Sequence, residues 1–154
     1  MAEFWRELIS NRVLMAGITG WFIAQVLKMI IHSVINKTLD WEQLVGDGGM
    51  PSAHSATVAA MATTSALVYG VGSFEFAISA MLATIVMHDA MGVRLETGKQ
   101  AKIINELIVL LEDLGKSHIS AETKLKEFVG HTPLQVLCGM TRGILVALGY
   151  YFWV

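Results

Sequence analysis

Four long apolar stretches dominate the pattern of this chain of 154 residues. The stretches are residues 13–35, 48–74, 76–93 and 128–154. Together they contain only three charged side chains, those of Lys28, Asp89 and Arg142. Each stretch is near or above the ~20 residues that a helix needs to cross the hydrocarbon core of a membrane. The pattern therefore predicts four membrane-spanning helices.

Turn and cap residues set the expected boundaries of these helices. Spans one to four are predicted at 13–35, 51–71, 74–93 and 133–154. Span two is rich in Ala, Ser and Thr, the small residues that let membrane helices approach closely, so it is predicted to be central. A tight turn at 70–73 separates spans two and three. Span four begins at Pro133 because proline is favoured at the first position of a helix.

Two further segments lie outside the apolar stretches. Residues 1–12 place large apolar side chains at helical spacing and predict a short helix at the membrane interface. The polar segment 94–130 is predicted to be an extramembrane helical insertion. One face of its first helix is apolar and carries Ile103, Leu107, Leu110, Leu111 and Leu114, and Gly115 is the expected stop. A second short helix is predicted after Ser120 as its N-cap, with Leu125, Phe128 and Val129 turned inward.

These elements predict an all-α fold in one membrane-embedded domain, residues 1–154, with the helical insertion at 94–130. Lysine and arginine are concentrated in the loop at 36–49 and in the insertion. By the positive-inside rule, that side is predicted to be cytoplasmic and both termini non-cytoplasmic. The expected location is the cell membrane, in a multi-pass topology, and an oligomer is possible.

Composition narrows the class of protein further. Hydrophobic residues make up 54% of the chain and charged residues only 16%, against roughly a quarter charged in an ordinary soluble domain. A disordered chain is excluded and a soluble one is improbable. The net charge of −2 provides no basic surface for nucleic acid. The single cysteine, Cys138, cannot form an internal disulfide.

Polar side chains within the spans are candidates for function because they are costly in a membrane. Lys28 shares one helix face with Gln25 and His32; its alternative is to extend to the interface. Ser52 and His54 stand at the start of span two, where free N–H groups form an anion site. Alternatively, Ser52 only caps the helix.

Two other candidates lie on the same predicted membrane side. His131 precedes span four, where Thr132 and Gln135 form a capping box that explains those two residues but not the histidine. At the end of span three, Asp89 and Arg94 form either a structural ion pair or a functional set. In the functional reading, Asp89 orients an imidazole and Arg94 binds an oxyanion.

Three sequence motifs resemble the divergent type-2 phosphatidic acid phosphatase family, which is related to acid phosphatases and vanadium-dependent haloperoxidases. Residues 49–56 read Gly-Met-Pro-Ser-Ala-His-Ser-Ala, and residues 89–94 read Asp-Ala-Met-Gly-Val-Arg, followed by Gly-Lys-Gln-Ala at 98–101. Residues 130–136 read Gly-His-Thr-Pro-Leu-Gln-Val. The motifs cover most of the chain in the expected order.

The resemblance implies roles for individual residues. His131 is the expected nucleophile and His54 the expected acid that protonates the leaving group. Lys28 looks like the lysine of the superfamily's first motif, and with Ser52 and Arg94 it is expected to bind phosphate. The superfamily's arginine before the nucleophile is absent, and Gln135 stands where a carboxylate orients the histidine. Asp89 is the expected substitute for that carboxylate.

The implied activity is that of a metal-independent membrane phosphatase that needs no cofactor. It would hydrolyse a lipid phosphate or pyrophosphate through a phosphohistidine intermediate. The alternative is a non-catalytic protein that binds an anionic lipid head group in a degenerate site. A metal site built from His54, Asp89 and His131 is the least favoured reading, because nearby Lys28 and Arg94 would repel a cation.

Overall fold

The computed structural model describes residues 1–37, 49–114, 125–127 and 129–153. All of its regular elements are helices. They are α1 (Ala2–Ser10), α2 (Arg12–Asn36), α3 (Ala53–Tyr69), α4 (Phe74–Met91), α5 (Val93–Asp113) and α6 (Pro133–Trp153). The all-α prediction and the predicted order of helices are confirmed.

Among the described residues, three helical segments are long and apolar enough to cross a membrane: Arg12–Asn36, Phe74–Asp113 and Pro133–Trp153. The apolar part of the second segment is α4. The remaining predicted span, α3, has 17 residues, which gives it a length of about 25 Å. Four spans are thus roughly compatible with the structure, and α3 is the shortest of them.

Helix α3 is the centre of the bundle, because it packs against α2, α4 and α6. Small residues make this possible. A Cβ added at Gly139 or Gly143 of α6 would collide with the backbone carbonyl oxygens of Ser52 and Ala56. A Cβ added at Gly20 of α2 would lie 3.1 Å from the Cβ of Ala60. Where no side chain intervenes, the helix backbones come into van der Waals contact, which is the main attraction between helices in lipid.

Gly92 separates α4 from α5. Its backbone angles of φ −98° and ψ −96° are not helical, so α4 ends at Met91 and a new helix begins at Val93. The predicted end of span three at residue 93 is therefore close to the observed one. The polar segment starts directly as α5, and this helix ends at Asp113, just before the predicted stop at Gly115.

The predicted second helix of the insertion is only partly covered by the structure. Residues 115–124 and 128, which include its expected N-cap Ser120, lie outside the described residues. Leu125 to Glu127 are not helical, and the Leu125 side chain is 43% exposed. The prediction that Leu125 points inward is wrong, because α5 holds the backbone of this residue and not its side chain.

Candidate functional site

The start of α3 is fixed by hydroxyl groups. The Oγ of Ser52 accepts a hydrogen bond from the backbone N–H of Ser55 at 3.3 Å and another from the Ser55 hydroxyl at 2.9 Å. Ser52 is fully buried. These contacts are those of an N-cap, so the capping alternative accounts for the hydroxyl of Ser52. Its phosphate-binding role stays a prediction.

The start of α6 contains the capping box expected from the sequence. The Gln135 Oε1 accepts from the backbone N–H of Thr132 at 2.9 Å, and the Thr132 hydroxyl accepts from the N–H of Gln135 at 3.4 Å. The Gln135 amide is therefore used by its own helix. The backbone carbonyl of Gln135 also accepts from the N–H of Ser52 at 3.2 Å, which joins the starts of α3 and α6.

The end of α4 positions His131. Because α4 stops at Met91, the carbonyl groups of its last turn need partners outside the helix. One of them, the carbonyl of Ala90, accepts a hydrogen bond from the backbone N–H of His131 at 3.1 Å. The His131 side chain is buried, with 5% of its surface exposed. The C-terminal end of α4 thus fixes the position of His131, which lies just before α6.

A cavity of about 230 Å³ lies between these helix ends. Its walls are formed by His54, Ile85, Val86, Asp89, Ala90, Arg94, Val129 and His131. The imidazole rings of His54 and His131 have their centroids 6.5 Å apart. One small anion could therefore hydrogen-bond both rings, since each such bond spans about 3 Å.

Asp89 and Arg94 form an ion pair at the rim of this cavity. The Arg94 Nε lies 2.8 Å from the Asp89 Oδ2, and both side chains are a little over two-fifths exposed. An ion pair of this exposure adds little stability. The contact uses only the Nε of the guanidinium, so the two terminal NH₂ groups of Arg94 can still bind an oxyanion.

Lys28 and Ser52 do not line the cavity that contains the two histidines. Lys28 is buried, with 5% of its surface exposed, and its aliphatic stem packs below the loop before α3. A Cβ added at Gly49, where φ is +83°, would lie 3.2 Å from the Lys28 Cδ. Of the six predicted site residues, four therefore line the cavity: His54, Asp89, Arg94 and His131.

The residues that hold the chain on the N-terminal side of His131 are not among those predicted from the sequence. Residues 125–127 and 129–131, here called the His131 segment, run along one face of α5. The Asn105 Nδ2 donates to the Leu125 carbonyl at 2.9 Å and to the Glu127 Oε1 at 2.8 Å. The Asn105 Oδ1 accepts from the N–H of Leu125 at 3.0 Å. The sequence feature that could have indicated this contact is the position of Asn105 inside an amphipathic helix. Asparagine is unfavourable there unless its side chain has a specific partner.

Two glycines bring the His131 segment into contact with α5. A Cβ at Gly98 would collide with the Glu127 carbonyl oxygen, and a Cβ at Gly130 would collide with the backbone of Leu95. On the other side of this segment, a second cavity of about 400 Å³ lies beside Lys99, Lys102 and Gln135. Both lysines are largely exposed and face glutamates of their own helix.

Within the described parts of the chain, no group of three or more His, Cys, Asp or Glu side chains is arranged to hold a metal ion. The chemistry available at the cavity is that of two imidazoles and one guanidinium beside a carboxylate.

Together, the fold and the site define a multi-pass helical membrane protein in which four helix ends enclose a cavity lined by two histidines. The chain matches the model of the divergent PAP2 family over residues 9–146, and it belongs to that family. It is 40% identical, over 95% of its length and 99% of the relative's, to the uncharacterized membrane protein YuiD of Bacillus subtilis (strain 168). No solved structure matches the chain.

Proposed function

We propose that the protein is an integral membrane phosphatase that hydrolyses a lipid phosphate or pyrophosphate through a phosphohistidine intermediate. The observation that carries this proposal is the pair of imidazoles with centroids 6.5 Å apart, beside the Arg94 guanidinium, in one cavity. Phosphoryl transfer needs an in-line nucleophile, cationic or N–H donors for the phosphoryl oxygens, and a proton for the leaving oxygen. Membership of the divergent PAP2 family agrees with this chemistry.

A lipid substrate is supported by the walls and the size of the cavity. Ile85 and Val86 of α4 form an apolar part of the cavity wall, one helical turn before Asp89, and the Ile85 side chain is 60% exposed. The volume of about 230 Å³ is below the ~300–1,000 Å³ of pockets that enclose whole drug-sized ligands. Only the phosphate head group would enter, while the acyl or prenyl chains would stay in the bilayer.

In the proposed reaction, a nitrogen lone pair of His131 attacks phosphorus and forms a P–N bond. The P–O bond to the leaving group breaks, and the protonated imidazole of His54 gives its proton to the leaving oxygen. Water then attacks the phosphohistidine and gives its proton to His54, while the P–N bond breaks and inorganic phosphate leaves. The NH₂ groups of Arg94 would stabilise the phosphoryl oxygens in both steps.

A second candidate function is binding of an anionic lipid head group without turnover. The observation in its favour is that Gln135 caps α6 and Asp89 pairs with Arg94. A neutral amide cannot stabilise the imidazolium of a general base or nucleophile as a carboxylate does. The two functions share the cavity and the bound group, and they differ in whether phosphate is released.

The experiment that separates the two functions is an assay of the purified protein against a panel of lipid monophosphates and pyrophosphates. We expect release of inorganic phosphate that vanadate inhibits and that a chelator leaves unchanged. Lipid phosphate binding without phosphate release would favour the binding function. Absence of both, in protein that is folded by circular dichroism, would contradict both functions.

A further inference from the structure

One side of helix α3 is left open by the helices around it. Helices α2, α4 and α6 pack against α3, and α6 also contacts both α2 and α4. Among the described elements, however, α2 and α4 make no contact with each other. A cleft therefore remains between α2 and α4, with the surface of α3 as its floor. It is here called the α2–α4 cleft.

The floor of the α2–α4 cleft begins at His54. Because they are spaced by three and four positions, His54, Thr57 and Met61 share one face of α3. The His54 side chain is exposed, and those of Thr57 and Met61 are partly exposed. His54 also lines the cavity that contains the two histidines. The cleft is therefore continuous with that cavity and extends from it along α3.

On the α2 side, the cleft contains a groove of about 350 Å³, lined by Leu14, Gly17, Ile18, Trp21, Thr57 and Met61. A Cβ added at Gly17 would lie 2.7 Å from the Met61 Cγ. The missing side chain lets Met61 pack against α2 and form the bottom of the groove. The Thr57 hydroxyl donates to the Ala53 carbonyl at 2.8 Å, and the Thr57 methyl lies toward Gly17. The groove surface is therefore almost entirely apolar.

The α4 side of the cleft is apolar as well. Ile78, Leu82 and Ile85 are spaced by four and three positions, so they share one face of α4. Their side chains are between 43% and 60% exposed. Asp89 continues the same face at the rim of the cavity. The polar groups of the cleft are thus confined to the end that meets the cavity, and the walls beyond that end are apolar.

A lipid chain gains little from the apolar walls alone. The bilayer core is as apolar as the cleft, so removal from water provides no driving force there. A chain joined to a phosphate that is held beside His54 differs, because the bound head group keeps the chain at the cleft at a high effective concentration. Thr57 is three residues, or about 4.5 Å along the helix axis, from His54. The groove therefore begins within reach of a chain attached to that phosphate.

We propose that the α2–α4 cleft binds the hydrocarbon chain of a lipid phosphate whose head group lies in the cavity of the two histidines. The chain leaves the cavity past His54 and runs along Thr57 and Met61, between α2 and α4. This inference rests on the proposed lipid phosphate site, and it applies both to hydrolysis and to binding without turnover. It assigns recognition of the phosphate to the cavity and discrimination between lipid chains to the walls of the cleft.

Another groove on the same bundle provides a matched reference. It has a volume of about 370 Å³, lies between α2 and α6, and is lined by Thr19, Ile23, Val146, Gly149, Tyr150 and Trp153. It is here called the α2–α6 groove. It is also largely apolar, but none of its lining residues lines the cavity of the two histidines. A lipid chain in the α2–α6 groove is therefore not tethered by a phosphate in that cavity.

Photolabelling tests the proposal without requiring turnover. The probe is a long-chain alkyl phosphate with a diazirine in its chain, added to the purified protein in lipid nanodiscs, and mass spectrometry locates the label. We expect it to label residues 14–21 and 57–61 in preference to the α2–α6 groove. The matched control probe is the same alkyl alcohol without the phosphate, which should label both grooves alike.

Binding of inorganic phosphate to the same protein, measured by calorimetry, distinguishes the possible failures. Equal labelling of the two grooves by the phosphate probe, in protein that binds inorganic phosphate, would overturn the chain site and leave the phosphate site standing. Preferential labelling of the α2–α6 groove would also overturn the chain site. Absence of both phosphate binding and preferential labelling would contradict the cavity as a phosphate site and the chain site with it.

Filling the groove tests the same proposal by kinetics. Ile18→Trp places a larger side chain in the α2–α4 cleft, and Ile23→Trp places the same side chain in the α2–α6 groove as the matched control. The measured quantity is the ratio of kcat/KM for a long-chain alkyl phosphate to kcat/KM for p-nitrophenyl phosphate, which has no lipid chain. We expect this ratio to fall about tenfold in Ile18→Trp, because overfilling a contact surface weakens binding. It should keep the wild-type value in Ile23→Trp.

The kinetic outcomes also separate the two proposals. Equal ratios in Ile18→Trp and Ile23→Trp would overturn the chain site. Hydrolysis of neither substrate by the wild-type protein would contradict the phosphatase function, and the photolabelling result would then decide the chain site by itself.

Discussion

His54 and His131 reach the same cavity by different means. His54 lies in the first turn of α3, whose start is capped by Ser52, and it is exposed to the cavity. His131 lies outside any helix, and its backbone N–H is bound by the Ala90 carbonyl. The backbone of His131 is therefore held by the end of α4, while its side chain lines the cavity.

If the protein is a phosphatase, replacing the two histidines should have different effects. His131→Ala should abolish both phosphate release and trapping of a phosphohistidine, because every substrate needs the nucleophile. His54→Ala should still trap the intermediate when the leaving group is good, since a general acid contributes about 10²–10⁴-fold only where the leaving oxygen needs a proton. Rapid-quench labelling with a ³²P substrate measures both. Unchanged hydrolysis by His131→Ala would remove its catalytic assignment.

Substitution of Gln135 tests whether the activity of His131 is limited by the absence of a neighbouring carboxylate. Because Asp89 pairs with Arg94, we expect Gln135→Asp to raise kcat by stabilising a positively charged His131. Loss of the capping box should cost about 1 kcal/mol of stability. The matched control for kcat and Tm is Gln135→Asn, because the asparagine side chain has the same length as that of aspartate and no charge. Equal kcat in the two variants would mean that charge at this position has no effect on His131.

At the scale of the element, α5 acts as a support for the His131 segment. Asn105 makes three hydrogen bonds to that segment, and Gly98 provides space for it. The helix that sequence analysis treats as a peripheral insertion therefore positions the candidate nucleophile.

Loss of the Asn105 side chain should release the His131 segment. In Asn105→Leu the backbone groups of Leu125 lose their partners, at a cost of about 1–3 kcal/mol for each buried group left unsatisfied. Hydrogen exchange measured by mass spectrometry should accelerate in residues 125–131 while α3 is unaffected. Glu106→Gln, on the exposed side of the same helix, is the control. Unchanged exchange in Asn105→Leu would mean that other contacts hold the segment.

The contact between α3 and α6 depends on glycines of α6 that face α3. Gly143→Leu should lower the free energy of unfolding in detergent by about 1–3 kcal/mol, because a side chain there must push the α3 backbone away. The loss is measured as a lower Tm. Gly149→Leu on the same helix is the matched control, since a Cβ there has no neighbour within 4 Å. Equal Tm changes in the two variants would show that the close approach is not required.

At the scale of the molecule, the residues that line the cavity lie at one end of the helical bundle. The start of α3, the end of α4, the start of α5 and the start of α6 meet there. The positive-inside rule predicts that this end faces the cytoplasm, so that the substrate phosphate would be reached from the cytoplasmic leaflet.

Cysteine labelling tests this orientation. In a Cys138→Ser chain, His118→Cys in the insertion should react with an impermeant maleimide only after the cells are opened. Gly72→Cys, in the turn between α3 and α4, should react in intact cells and serves as the control for the opposite side. Ready labelling of His118→Cys from outside would reverse the predicted topology.

Much of the fold can be predicted from local features of the sequence. The apolar stretches indicate the helices because a membrane span needs a minimum length of apolar residues. Ser52 and the pair of Thr132 and Gln135 indicate helix starts because a cap contacts residues only three positions away. Each of these properties is decided within one or two helical turns, so no knowledge of the tertiary structure is needed.

The arrangement of the site depends on contacts between distant parts of the chain. The sequence groups Lys28 with the two histidines at one membrane face, yet packing places its stem below Gly49 and not in the wall of their cavity. Asn105 binds a segment some twenty positions away. Only the packing of α3, α4 and α6 decides which polar groups share a cavity, because hydrophobicity determines which segments enter the membrane but not how their faces meet.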